Sequence, residues 1–450
     1  MNAPPGPATS VPSGRQLVGD GFITFLCRVL SIVTALAMSI VTARFLGPIG
    51  RGIYVTPAVD AGIAASFFVG LSTATSYLLL NVRAGRGALR AIALAAVPFV
   101  AVCTVLVFAL GWFGHHAWAT IYAAASLPPT AIFLIAQGLC YGTKRVKMAN
   151  YLGVSGSVFT PIGTIIGFLC VGRTPYVVIT AWLVSQTLMA VFGLALIYRY
   201  GKQLPRDRVS NLATLGFAAR LGGVSLVTLL GYNADVYLTA LLAGPSVLGM
   251  YTIAVSGAQA VLSATQSVAT TTAPHVGSLS DDDARRLTAR AARNNVAIAT
   301  SACVLIGLAA PLLVHVAFGT RFLPAVGALR ILLVGMIAMS TSAVLSNYFT
   351  LRRGRPEFSL YVAGAGAATS ISLSFALIPR LGIIGAALSV TTSYIVSALL
   401  FLAAFQRDSG LPPSEILLLK SADVRAYRQL AGRLAFGLRR RVGLAAEARS

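Results

Sequence analysis

Arg28 is the residue whose placement most demands a chemical explanation. It lies eight residues into an apolar run spanning 21–43, about 12 Å deep at 1.5 Å per residue. That is too far for its guanidinium to snorkel comfortably to a membrane surface. A guanidinium held there offers a rigid planar fork that suits phosphate oxygens. The other use of such a charge is a structural ion pair with Asp60 or Asp235, the only carboxylates placed within apolar runs. Either carboxylate would alternatively serve as a proton or cation site, coupling movement to an ion gradient. Asp235 is also compatible with a place near the outer interface, because only seven residues separate it from the end of its run.

Uncharged polar side chains recur at helical spacing around these three. Thr24, Arg28 and Ser31 fall at i, i+4 and i+7, with Ser39 and Thr42 further along. In the eighth run Ser256, Gln259, Ser263, Gln266 and Thr270 alternate steps of three and four, and so share one face. The seventh run carries Thr228, Asn233, Asp235 and Thr239; the second carries Thr56 and Asp60. Polar groups are costly in hydrocarbon and face either a protein interior or water. Runs one, two, seven and eight are therefore the expected walls of a cavity. Its expected binding residues are Arg28, Thr24, Ser31, Asp60, Asn233, Asp235, Ser256, Gln259, Ser263 and Gln266. For a single hydroxyl, interhelical hydrogen bonding is an alternative use. Arg51 at the outer mouth and Arg220 at the inner mouth either add positive field or anchor lipid headgroups.

Other chemistries find no support. There is no GxxxxGK[ST] loop for a nucleotide, no HExxH and no CxxC pair. Asp281, Asp282 and Asp283 read as the negative first turn of a short helix capped by Ser280. The five cysteines all lie inside apolar runs, and the four histidines are scattered. No cofactor and no metal site is expected, and the protein is not expected to be an enzyme.

The elements that must hold these residues are membrane helices. Of 450 residues 56% are hydrophobic and 10% charged, against about 25% charged in a soluble domain; mean hydropathy is +0.80. The net charge of +23 does not mark a nucleic-acid binder, which would keep its charge on a solvated face. Twelve apolar runs long enough to span a bilayer lie near 21–43, 53–80, 91–114, 119–141, 151–171, 176–198, 221–242, 247–271, 294–318, 328–350, 358–378 and 382–405. With both termini in the cytoplasm, only Arg44, Arg51, Arg173, Arg321, Arg330 and Arg380 fall outside, and Arg28 falls within a span. Every other Lys and Arg of the 35 is then inside, a strong positive-inside signal. No A-x-A-like site closes the first run, so no cleaved signal peptide is expected.

The chain also repeats itself. Gly47-Pro48-x-x-x-Gly52-x-Tyr54 returns as Gly244-Pro245-x-x-x-Gly249-x-Tyr251 after six spans. An even offset gives the two halves the same orientation, related by an axis along the membrane normal. The expected fold is an all-α polytopic membrane protein with twelve transmembrane helices in two six-helix lobes around a central cavity. The expected divisions are a cytoplasmic tail (1–20), an N-lobe (21–198), a polar cytoplasmic linker (199–220), a C-lobe (221–405) and a basic cytoplasmic tail (406–450). In that tail Val424, Tyr427, Leu430, Leu434 and Leu438 share one face against Arg425, Arg428, Arg433 and Arg439 to Arg441, the pattern of an interfacial helix on anionic lipid.

Four stretches carry a resemblance: ARFLGPIGRGIY after the first span, YNADVYLTALLAGPSVLGMYTIA through the seventh and eighth, FG-x-x-F-x-x-A at Phe318 to Ala325, and RGRPEF followed by IPRLGIIGAALS. Their order and spacing resemble the Wzx-like polysaccharide flippases of the multidrug/oligosaccharidyl-lipid/polysaccharide (MOP) exporter superfamily, over about residues 15 to 430. The resemblance implies translocation of an undecaprenyl-diphosphate-linked oligosaccharide from the cytoplasmic to the periplasmic leaflet of the bacterial inner membrane. It further implies alternating access, a cationic cavity and coupling to a proton or sodium gradient. The implied partner is the lipid-linked oligosaccharide; membrane lipids are the expected partner of the basic tail helix, with docking to polysaccharide assembly enzymes as its alternative use. Arg28 matches the expected first-helix arginine, but no other Lys or Arg lies deep in a span. That argues against a strongly acidic sugar cargo and leaves the diphosphate as the main anion. A multidrug exporter of the same superfamily is the first alternative. A membrane glycan polymerase is the second, and the short outer loops argue against it.

Overall fold

The computed structural model describes residues 14–420, apart from 81, 83, 114–116, 208, 209 and 279; the basic tail helix expected after residue 420 lies outside them. The described residues are helices and short connections without a strand. This is what a chain this apolar must do, because backbone N–H and C=O groups in hydrocarbon have only each other to bond.

The first helical stretch, Gly14–Leu80, is broken at Gly47, whose φ of 67° and ψ of −175° no helix contains. Glycine alone takes that conformation without strain, and Pro48 then starts the next helix with its ring in place of an N–H that would have gone unbonded. The two pieces, 14–46 and 48–80, are α1 and α2. There follow α3 (Arg86–Phe113), α4 (Ala117–Gly142), α5 (Val146–Cys170), α6 (Pro175–Gly201), α7 (Asn211–Leu242), α8 (Pro245–Ser278), α9 (Asp281–Phe318), α10 (Ala325–Asn347), α11 (Pro356–Leu381) and α12 (Ile383–Ser409). Each of the twelve is long and apolar enough to span a bilayer, the first two as one broken stretch. Large apolar side chains stand open on their outer surfaces, Leu169 at 81% and Leu308 at 75% exposed. Such an array is untenable in water and natural in lipid.

Three features differ from the sequence reading. Helix α6 runs to Gly201 and α7 begins at Asn211, capped by Ser210, so both ends of the expected 199–220 linker are helical. Between them the chain is strapped down: Asp207 accepts the backbone N–H groups of Gly85 and Gly87 at the start of α3, and Arg86 donates to the Leu204 carbonyl at 3.0 Å. Secondly, Ser280 does cap the acidic turn, its Oγ accepting from the Asp283 N–H, but the helix it opens is the 38-residue α9, not a short one. Ahead of the first span, too, the chain is already helical from Gly14.

Buried side chains gather in several cores. One core joins Phe68 and Leu71 of α2 to Ile92 and Phe99 of α3 and Leu127 and Ile135 of α4, and reaches Ala218 at the start of α7. A second joins Tyr251 of α8 to Leu329, Leu332 and Met336 of α10 and Val390 and Tyr394 of α12. At one end of the second half, Tyr348, Phe349, Phe401 and Phe405 form an aromatic core. Over it Arg353 pairs with Asp408 at 2.6 Å and Arg352 with Asp281.

Candidate functional site

Five of the ten expected site residues converge. Asn233 and Asp235 of α7 and Gln259 and Gln266 of α8 line a cavity of about 240 Å³, closed by Met336 and Tyr394. A neighbouring cavity of about 280 Å³ shares Asn233 and Gln259 and adds Thr252 and Ser256, and its far wall is Ala58 and Val59 of α2. Among the described residues, the titratable side chains that line the first cavity are Asp235 and Tyr394, and Tyr237 is the one that lines the second. Ser256 and Ser263 spend their hydroxyls on the carbonyls of Thr252 and Gln259, one turn back, so the amides of the cavity walls carry most of its hydrogen-bonding capacity.

Asp235 is buried and is held by the repeat. Tyr251, the tyrosine of the second Gly-Pro motif, is fully buried and donates its hydroxyl to Oδ2. The other oxygen, Oδ1, is buried without a hydrogen-bond partner. Among the described residues nothing occupies that oxygen, which is thus open to a proton or a cation.

The two Gly-Pro motifs themselves meet. A Cβ at Gly52 would collide with the Pro245 carbonyl, and a Cβ at Gly249 with the Pro48 carbonyl. Only hydrogen at both positions lets α2 and α8 approach backbone to backbone, each motif seated on the other. Arg51 locks this seam. It is 3% exposed, donates to the Ser39 carbonyl at 2.8 Å and to Thr42 Oγ1 at 3.2 Å on α1, and reaches Thr252 Oγ1 at 3.2 Å on α8. Close by, Arg44 donates to the Ala317 carbonyl at 2.9 Å, tying α1 to the end of α9. The reading of Arg51 as a mouth or headgroup residue is corrected. A signal for it was present, since an arginine flanked by Gly50 and Gly52 lies where the backbone is set for close approach.

The first-helix stripe is displaced. Between residues 26 and 37 only Cys27, Ser31 and Thr34 are even half-buried, so the packed face is Cys27, Ser31, Thr34 and Met38. Arg28 is exposed on the flank of that face, outside both cavities and not in a buried ion pair. Thr24 lies on α1, and Ser31 is half-buried on the packed face. Asp60 is buried within α2 and lines neither cavity.

Residues 89–327, just over half of the chain, match the model of the polysaccharide biosynthesis protein family, and the chain belongs to that family. No curated protein matches the sequence. The fold is similar to that of the lipid II flippase MurJ in its inward closed conformation, with a TM-score of 0.70 at 13% identity over 87% of this chain and 90% of that one. It is also similar to the inward-facing conformation of a multidrug resistance MATE family transporter of the MOP superfamily, with a TM-score of 0.65 at 17% identity over 84% and 95% of the two chains. Against an outward-facing conformation of such a transporter the TM-score is 0.57, at 17% identity over 86% and 94%. The protein is thus a multi-pass membrane protein with the MOP-type transporter fold in a polysaccharide biosynthesis family.

Proposed function

We propose that the protein flips an undecaprenyl-diphosphate-linked oligosaccharide from the cytoplasmic to the periplasmic leaflet of the bacterial inner membrane, by alternating access of two six-helix lobes. The observation that carries this reading is the pair of amide- and hydroxyl-bearing cavities that share α7 and α8, the first walled by α10 and α12 and the second by α2, in a chain of a polysaccharide biosynthesis family. Stripping several sugars and a doubly charged diphosphate of water is prohibitive unless protein groups replace the lost contacts. Asn233, Gln259 and Gln266 both donate and accept, as sugar hydroxyls require, while the polyprenyl tail stays in lipid.

The Gly-Pro seam is then the closed outer gate, and the exposed 26–37 stretch of α1 belongs to the open inner side, with both termini cytoplasmic. Arg28, standing free on that stretch, receives the diphosphate. Asp235, with its unbonded Oδ1, takes the proton or sodium ion whose gradient drives the cycle. That same oxygen favours a second reading, export of an organic cation.

Leaflet-resolved labelling of undecaprenyl-diphosphate-linked oligosaccharide in depleted cells separates the two. Accumulation facing the cytoplasm, cleared by restoring the wild-type protein, is expected. Arrival at the periplasmic face regardless of the protein would overturn the flippase reading and leave cation export.

A further inference from the structure

A further cavity, open on one side, lies away from the site above, lined by α1, α4, α5 and α6, with a volume of about 360 Å³. We infer that it is a binding subsite for an uncharged sugar ring, with Trp182 as the stacking platform. This deepens the flippase reading and rests on it.

The lining gives the chemistry. Thr34, Ser157, Thr160, Trp182, Ser185 and Gln186 face the cavity, and among the described residues no charged side chain does. A diphosphate or an organic cation buried there would lack a counter-charge and be penalised accordingly; a neutral polyol would not. The volume falls within the range of ligand pockets, about 300–1,000 Å³.

The polar groups divide into satisfied and waiting. Thr34 is spent on the Leu30 and Ser31 carbonyls of its own helix, and Ser185 on the Gly156 carbonyl. Among the described residues the Ser157 and Thr160 hydroxyls, the Gln186 amide and the Trp182 indole N–H have no partner, and all four side chains are half-buried. Pro161, also in the wall, has no N–H, so the Ser157 carbonyl loses its i+4 donor and becomes a further acceptor. Half-buried groups of this kind want partners. Donors and acceptors are mixed, as the hydroxyls of a pyranose are. The indole supplies the apolar plane against which the C–H face of a sugar ring lies. Trp182 packs against the first-half core, which fixes the plane.

The internal repeat supplies a control. By the six-helix offset, α1, α4, α5 and α6 correspond to α7, α10, α11 and α12, and those four helices enclose a smaller cavity of about 220 Å³. There Ser346 and Ser359 hydrogen-bond each other at 3.2 Å, Thr228 is spent on the Val224 carbonyl of its own helix, and no indole is present among the described lining residues. Duplication placed a cavity in each half; the first half alone combines an indole with unspent polar groups.

The test is binding by the full-length protein in lipid nanodiscs, using bare undecaprenyl diphosphate and the same lipid carrying one glucose or one N-acetylglucosamine. Wild type is expected to bind a sugar-bearing lipid about tenfold more tightly than the bare one. Trp182→Ala and Gln186→Leu should erase that difference while leaving affinity for the bare lipid unchanged, and Trp182→Phe should retain part of it. Equal wild-type affinity for all three lipids overturns the subsite and leaves the flippase reading standing. A sugar preference that survives in both Trp182→Ala and Gln186→Leu also overturns the subsite. Binding of none of the lipids overturns both.

Discussion

Arg28 and Arg51 are two arginines of the same region put to opposite uses. Arg51 is buried and its guanidinium serves three acceptors; Arg28 is exposed and available to a ligand. Arg51→Met should therefore weaken the fold, at about 1.5–3 kcal/mol for each hydrogen bond to a charged group that is lost. A clearly lowered melting temperature in detergent is the expected result, and an unchanged one would remove Arg51 from the seam. Arg28→Ala should leave the melting temperature alone and cut flipping at least tenfold in the leaflet assay; normal flipping by a well-expressed variant would end its role. Asp235→Asn keeps the shape and the Tyr251 contact but cannot take up a proton. It should make transport insensitive to collapse of the driving gradient, and retained sensitivity would move coupling elsewhere, Asp60 being the other buried carboxylate of the cavity helices.

At the scale of the helix, the seam between α2 and α8 depends on two missing methyl groups. Gly52→Ala or Gly249→Ala pushes the helices apart wherever they touch in this arrangement and costs nothing where they do not, so it biases the two-state equilibrium. The expected outcome is faster alkylation, from the outer side, of a cysteine introduced at Ile53; unchanged labelling would mean that the seam does not gate access. Asp207→Ala, which removes the carboxylate capping the start of α3, should cost about 0.5–2 kcal/mol and make the 202–210 connection sensitive to protease, with wild-type resistance as the contrary result.

These elements differ in how visible they were. The Gly-Pro repeat was legible because its spacing survives in both halves, and the cavity walls of α7 and α8 because amides and hydroxyls recur at helical steps. The packed face of α1 was misplaced by one position, since polar residues sit on both flanks of the stripe and only neighbouring helices decide which side turns in. Residues 211–220 looked like a tether because Asn211 and Arg220 are polar, yet a Ser-capped helix end carries such residues at a membrane surface. Trp182 and Gln186 were passed over because the other walls of their cavity arrive from three other helices.

For the molecule as a whole, the decisive contacts between the halves at the Gly-Pro end are backbone against backbone and arginine against main-chain carbonyl. Such contacts are specific in geometry and indifferent to cargo, which suits a transporter whose chemistry is confined to cavities on either side of them. The seam is also reciprocal. Each motif offers the same surface to the other, glycine to proline carbonyl in both directions, which is the self-complementary contact of a two-fold dimer. A six-helix unit bearing one motif would carry both sides of this contact, so two copies in the same membrane orientation would meet through it as the two motifs of this chain do.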